Sequence, residues 1–481
     1  MHSFPKIRIA LAWLLFWGIV DSCAVAQVES CDSACFAANP GEYLLGRTSP
    51  GEEGGPPNSL PQEYEFWEGQ PLASYDAASS DFKDVRVGYD DGFVISSDVN
   101  SELKANDQPF SLKLNGWGQL RHTKIESQSS LSDQNLFQLK RARLIFSGSA
   151  FTNNFRYFAQ LDGRSSSGDD LRLLDYYIDF DIGRAHLGWE KGTFGFRTGR
   201  WKMPFHLARY LSGREFEFSD RSVASTFFDV NRSLAWGIYG KRKVLSKPFA
   251  WELAIFNGLV TGGAETGSSG TLDDNFAYSG RMFWYPIGEW GRGQLADLDF
   301  HQELAMRIGA GLANSTINRV GTTEFSRVRV VDSGRRLVDL LPNAVDEYTV
   351  NIYAVDASAK YRGWSATFEY YFRLIDDFRG APIPNLFDHG HWLQVGKFII
   401  PGEWQALVRW SRVSGESGTL GVIDQHSEEF AAGVVRYFRD EHAKLTFDAT
   451  YLDGAPISSA ALDVRPGEIG WLLRTQFQFA F

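Results

Sequence analysis

The sequence predicts an all-β fold: a 16-stranded antiparallel transmembrane β-barrel with short periplasmic turns, long extracellular loops and one loop folded inward. Three observations predict it. Aromatic residues make up 15% of the chain, and 47 Gly stand against only 4 Met. That profile suits short aromatic strands broken by glycine better than a helical enzyme. Apolar and polar residues alternate with period two from residue 110 to the C-terminus. The connections between the alternating segments tend to be long and short in turn, with 182–192 and 286–300 as longer exceptions.

The alternation is clearest near the end of the chain. Ala443, Leu445, Phe447, Ala449 and Tyr451 share one face, and His442, Lys444, Thr446, Asp448 and Thr450 share the other. In the last segment Trp471, Leu473, Phe477, Phe479 and Phe481 oppose Arg474, Gln476 and Gln478. In 365–373 Ala366, Phe368, Tyr370 and Phe372 oppose Ser365, Thr367, Glu369, Tyr371 and Arg373. In 153–162 Phe155, Tyr157, Ala159 and Leu161 oppose Asn154, Arg156, Gln160 and Asp162. Period-two patterning of this kind marks strands with one apolar face.

Sixteen segments read as strands: 110–123, 136–149, 153–162, 171–181, 193–202, 233–242, 249–257, 276–285, 301–312, 348–361, 363–374, 391–400, 403–413, 427–438, 442–453 and 470–481. A soluble sandwich also alternates, but it does not place long loops at one rim and short turns at the other. An outer-membrane barrel does. Strands near ten residues fit the tilted crossing of a hydrocarbon layer, and closure satisfies the backbone in lipid. About sixteen strands leave an aqueous interior, whereas about eight are filled by side chains. The connection 203–232, after the fifth strand, is placed to fold into that interior. The aromatic end at Phe481 suits a final barrel strand.

Ahead of the barrel, residues 1–26 read as a signal peptide. Lys6 and Arg8 precede an apolar run at 9–20, and Ala24-Val25-Ala26 offers a cleavage site. Twelve apolar residues are too few to span a bilayer as a helix. Residues 27–109 read as an acidic, Gly/Pro-rich linker with 4 basic and 16 acidic residues. Cys31 and Cys35 lie within it and can pair in an oxidising compartment. The remainder carries 42 charges of each sign, so the net charge of −11 belongs to the linker. Nucleic acid is excluded as a partner, because a basic footprint is its first requirement.

Several segments resemble the phosphate-selective porins O and P. They are VGYDDGF (87–93), FSLKLNGWGQ (110–119), KRARLIFSG (140–148), GFRTGRWKMPF (195–205) and PGEWQALVRW (401–410), with the late strand 444–454 and the terminal Phe481. The resemblance covers roughly residues 85–481. It implies a homotrimeric outer-membrane porin admitting anions such as phosphate, with basic groups along the channel and on a constriction loop. The second-strand motif falls on Lys140, Arg141 and Arg143, where the family usually begins with Arg. Trp117 follows Gly116 where Arg is common.

The pleat places Lys113, Gln119 and Arg121 in the lumen, followed by Arg141, Arg143 and Arg156. Asp175, Tyr177, Asp179 and Asp181 come from the fourth strand, Arg197 from the fifth and Arg409 from the thirteenth. The loop brings Arg209, Arg214, Arg221 and Arg232 together with Glu215, Glu217, Asp220 and Asp229. One expectation is that the arginines face the pore while the acids tie the loop to the wall; the other is that these charges only pair along the wall. Basic rings favour anions and acidic rings cations.

No G-x-S-x-G, H-E-x-x-H or Walker loop occurs, so no enzyme and no cofactor is expected. Gly291-Arg292-Gly293 lacks the βαβ context of a dinucleotide site. His389-Gly390-His391 has no third metal ligand nearby in sequence. The expected function is a passive diffusion channel for small hydrophilic solutes in the outer membrane of a diderm bacterium, after signal-peptide cleavage. Its expected partners are small anions or phosphate and outer-membrane lipid. The first alternative is a non-conducting binding or structural barrel blocked by its loops; the second is a barrel hydrolase, for which no motif in the sequence speaks.

Overall fold

A computed structural model describes residues 85–97, 109–164, 170–259, 272–320, 322–330, 336–415, 426–454 and 462–481. The expected signal peptide, Cys31, Cys35 and most of the expected linker lie outside them. Sixteen antiparallel strands form one closed sheet. In chain order after two short leading strands they are β3 (Ser111–Ser127), β4 (Gln134–Ala150), β5 (Thr152–Arg164), β6 (Asp170–Phe180), β7 (Phe194–Lys202), β8 (Arg232–Val244), β9 (Lys247–Asn257) and β10 (Phe276–Ile287). Then follow β11 (Ala305–Asn318), β12 (Glu347–Tyr361), β13 (Trp364–Arg379), β14 (Leu386–Ile400), β15 (Trp404–Gly415), β16 (His426–Arg439), β17 (Ala443–Asp453) and β18 (Ile469–Ala480). Each of the sixteen expected segments forms a strand. The ladder from Gly470↔Ser127 to Ala480↔Trp117 closes the barrel.

Closure leaves no free edge among the sixteen barrel strands, so each of them finds two neighbours. The outward face is apolar: Val408 (58% exposed), Phe430, Phe447 and Phe477 stand on it. Aromatics gather at both ends of the wall. Tyr361, Trp364, Trp404 and Phe438 mark the short-turn rim, and Phe137, Phe276, Tyr278 and Trp471 the long-loop rim. Two aromatic girdles around an apolar band are the mark of a membrane-spanning barrel. Short turns follow from residues that accept positive φ. Arg362 and Gly363 (φ 49° and 77°) and Leu245 and Ser246 (φ 51° and 63°) make two-residue reversals whose twist matches the strands.

Two details depart from the sequence reading. The end of the 27–109 stretch carries the two leading strands, β1 (Val85–Tyr89) and β2 (Phe93–Ser97), paired as a hairpin. β2 pairs with Ser111–Leu114 of β3. β18 stops at Ala480, and the Phe481 backbone exchanges hydrogen bonds with Gly116. The hairpin therefore covers the length of β3 that β18 leaves open. The second departure is the ninth barrel strand, expected at 301–312 and found at 305–318. Residues 297–304 are held in a turn instead, because the Asp297 carboxylate accepts from the backbone N–H of His301 (3.2 Å) and of Gly363 (2.7 Å).

Candidate functional site

The segment between β7 and β8 enters the barrel. All of residues 203–231 are buried except Arg214 and Arg221, which are partly exposed. Two short helices shape it, α2 (Leu207–Tyr210) and α3 (Val223–Phe227), after an α1 (Ile182–Leu187) in the β6–β7 connection. The loop lies so close to β11 that only glycine fits at Gly311, where a side chain would strike the Phe205 carbonyl.

A buried loop must satisfy its backbone N–H groups, and here wall carboxylates do so. Glu369 on β13 accepts from Leu207 N–H (2.6 Å) and Ala208 N–H (3.2 Å). Glu429 on β16 accepts from Val223 N–H (2.7 Å), and Asp448 on β17 from Ser219 N–H (3.0 Å). Loop carbonyls are met by wall cations. Lys444 Nζ donates to the carbonyls of Arg214 and Phe216 (2.7 Å each). Arg281 donates to Phe205 O (3.1 Å). Loop acids reach the wall as well. Asp220 pairs with Arg121 and with Arg141 (2.7 Å), and Glu217 accepts from Gln394 and Gln405.

The expected lumen residues on β3, β4, β5, β6, β7 and β15 all sit on the inner face. Their environments differ. Arg121 is clamped by Asp220, by Gln476 (2.9 Å) and by the Ser219 carbonyl (2.6 Å). Arg141 is bonded to Gln119 (2.5 Å) and Asp220. Arg156 donates to Tyr239 Oη (3.1 Å), and Asp181 lies 3.7 Å from it. Arg197 grips Asp179 through two bonds (2.7 and 3.2 Å) and covers the Tyr177 ring at 4.4 Å. Arg409 binds Glu429 (2.7 Å) and the Asp220 carbonyl (2.8 Å). Lys113 stands at the short-turn rim, 3.4 Å from Asp90 of the hairpin turn.

Of the loop arginines, two are structural. Arg209 is held by Asp229 (2.8 Å), and Arg232 by both oxygens of Asp175 (2.6 and 3.0 Å). Arg221 donates to two loop carbonyls, Ala208 (2.7 Å) and Leu211 (3.1 Å), and keeps part of its surface open. Arg214 is partly open as well.

The interior thus has two unlike walls. On β12–β14 the upper interior is closely packed and mainly apolar around one buried ion pair, Arg373–Asp388. Tyr348, Val350, Ile352, Ile375 and Leu386 pack against Phe325, Val328, Leu337 and Val345 of the connection 319–346. On β4–β8 the interior keeps solvent contact at Arg143, Phe158, Arg172, Tyr177 and Lys241. Arg143 and Arg172 share one carboxylate, Asp162 (3.2 and 3.3 Å). Trp117, standing where the resembling family commonly has Arg, lies under the Arg143 guanidinium at 4.7 Å. Asp162, Asp175, Asp179, Asp181, Glu215, Glu217, Asp220 and Asp229 are all buried. Among the described side chains on the inner face of β4–β8 and on the loop, every charged group left partly exposed is basic.

Sequence reasoning missed the wall tethers Glu369, Glu429 and Asp448 as functional residues. Glu369 and Asp448 stood on recognised polar faces, but nothing local says what they bind. It also passed over Phe158, an apolar residue on a polar face. Phe158 stacks on Tyr177 at 4.9 Å. His389 and His391 both lie on β14, which begins at Leu386 and not at the expected 391. They face outward among aromatics, His391 4.5 Å from Trp410. Among the described residues, no group of three or more His, Cys, Asp or Glu is placed to hold a metal.

No family model and no curated protein matches the sequence. Solved structures do match. The anion-selective porin from Comamonas acidovorans superposes with a TM-score of 0.51 over 77% of this chain and 100% of its own, at 9% identity. The fold is that of an outer-membrane porin. Weaker likenesses are OprB of Pseudomonas putida (TM-score 0.46, 10% identity, 77% of this chain and 94% of its own) and the outer membrane channel DcaP of Acinetobacter baumannii (0.47, 10%, 77% and 97%).

Proposed function

We propose that this porin-fold protein is a homotrimeric outer-membrane diffusion channel, akin to the phosphate-selective porins, that passes small hydrophilic anions along its β4–β8 wall. One observation carries the reading: buried acids tie the loop down, and on the β4–β8 wall and the loop the charges left partly open to solvent are basic. The barrel is neutral by formal count, but an ion in the lumen meets only the exposed charges at short range. Coulomb energies there reach roughly 1 kcal/mol for each unit pair at 4 Å even in bulk water. Rings of basic groups lower the barrier for anions. Solutes would enter at the long-loop rim beside Arg172 and pass Arg143 and Tyr177 beside the loop.

A second reading has its own support. The loop is bonded to β3 and β4 on one side and to β13–β18 on the other, and the apolar packing below 319–346 fills part of what remains. A sealed barrel that binds at its surface fits those contacts. Single-channel recording in planar bilayers separates the two. Stepwise current in KCl supports the channel; silent bilayers from correctly folded, heat-modifiable protein reject it.

A further inference from the structure

At β6–β9 the short-turn rim carries many cations and few acids. Residues 241–247 (KRKVLSK) hold four basic groups and no acid, and 182–193 add Arg184, His186 and Lys191 with Glu190 as the lone acid. The pleat divides the first set: Lys241 points inward, whereas Arg242 pairs with Phe249 on the outward face and Lys247 with Val244. Apolar groups stand among the outward cations. Leu187 and Trp189 are exposed, and Leu245 at the tip of the reversal is 81% exposed. α1 lies against the outer wall, with His186 and Phe180 5.8 Å apart between ring centres. The Asp181 carboxylate fixes the start of α1 by accepting from Arg184 N–H (3.1 Å), and Trp189 N–H closes its end on Gly183 O (3.1 Å). Elsewhere on this rim cations face acids: Lys113 meets Asp90 (3.4 Å), Arg292 meets Asp299 (2.7 Å) and Asp440 (2.9 Å), and Arg436 meets Glu403. Among the described residues, Arg184, Arg242 and Lys247 meet no carboxylate within ion-pair distance.

From this contrast we infer that the β6–β9 sector of the rim binds anionic phospholipid of the periplasmic leaflet. Lipid phosphates sit among Arg184, Arg242 and Lys247, while Leu187, Trp189 and Leu245 enter the boundary between headgroups and acyl chains. Two features select lipid over a soluble acidic partner. The first is continuity: Phe180, Phe194 and Trp251 stand next to the patch on the outward face, Phe194 and Trp251 with ring centres 6.4 Å apart, so the cations border the lipid-facing band directly. The second is composition. A soluble acid would satisfy the cations and leave Leu245 in water, whereas a bilayer edge takes both. Arg and Lys beside Trp and Leu combine headgroup attraction with apolar burial, and Trp favours that depth. The inference rests on the barrel spanning a membrane and is independent of conduction.

The test is tryptophan quenching of the reconstituted protein in phosphatidylcholine vesicles that carry, at equal mole fraction, brominated phosphatidylglycerol or brominated phosphatidylcholine. Subtracting the signal of Trp189→Phe isolates Trp189. Its quenching should be about fivefold more efficient with the phosphatidylglycerol probe. That advantage should shrink at about 1 M salt, where charges are screened within about 3 Å. The R184Q/R242Q/K247Q variant should lose most of the advantage while both probes still quench, because Leu187, Trp189 and Leu245 remain. Arg436→Gln, on the paired part of the rim, should keep it. Trp189 untouched by either probe, equal quenching by the two, a preference that survives high salt or the triple substitution, or an equal loss in Arg436→Gln would each overturn the site. Channel conductance is read separately, so failure here and failure of the transport reading are distinct results.

Discussion

The two halves of the barrel interior are built from the same alternating strands yet solve opposite problems. The β13–β18 wall spends its charges on the loop: Glu369, Glu429, Asp448 and Lys444 are consumed by loop backbone groups. The β4–β8 wall leaves Arg143, Arg172 and Lys241 partly open. A polar inner face does not by itself make a pore lining. Where a loop covers it, its charges become anchors; where none does, they set the local field.

That contrast can be broken at its anchors. Asp220 serves both Arg121 and Arg141 inside the barrel. Asp220→Asn removes the carboxylate that Arg141 pairs with and leaves Arg121 with Asp463 (3.0 Å) alone, costing about 3 kcal/mol. The check is the denaturant midpoint of refolded protein. Loop release should also raise conductance. Next in size is the outward face. Val408→Arg places a charge in the apolar band and should cost about 2–4 kcal/mol of barrel stability, less nearer a rim. Folding into lipid vesicles measures it, and a neutral result would place β15 away from the bilayer.

Smaller effects sharpen the wet wall. Arg143→Gln together with Arg172→Gln should lower the anion/cation permeability ratio several-fold, as roughly 1 kcal/mol of Coulomb energy implies. Arg209→Gln and Arg232→Gln, which break buried pairs, should reduce stability before they alter selectivity. The smallest effect lies at the long-loop rim. Burial, and then Asp273, push the Glu324 carboxyl up to about 7, while the Leu259 N–H (3.1 Å) holds it in place. The folded loop keeps the proton that the unfolded chain gives up near 4.5. Packing at 322–330 is therefore firmest below that value and weakens as pH climbs through about 7. Hydrogen exchange across 322–330 should quicken over that range in the native chain and hold steady in Glu324→Gln.

The sixteen strands were legible because each carries its own period-two signal, and the lumen face followed from the pleat. Lys444, Asp448 and Glu369 were already on the correct face. Their partners were not legible, because Glu369 meets a loop residue 162 positions away and Lys444 one 230 positions away. No local pattern encodes such meetings. The β1–β2 hairpin escaped for a different reason. Its strands have five residues each and sit at the end of a stretch whose Gly, Pro and acidic residues suggest a linker. VGYDDGF was visible as a motif but not as the turn that seals the β3 edge. Likewise the loop arginines looked alike in sequence, and only the placement of Asp175 and Asp229 separates Arg232 and Arg209 from Arg214 and Arg221.

Reversal potential across a planar bilayer under a KCl gradient tests the central claim most directly. A conducting barrel whose zero-current voltage moves toward the chloride equilibrium value, and moves back in the Arg143→Gln, Arg172→Gln variant, is the expected result. A voltage on the potassium side, or one that ignores those two residues, would contradict the assignment of the β4–β8 wall as an anion path.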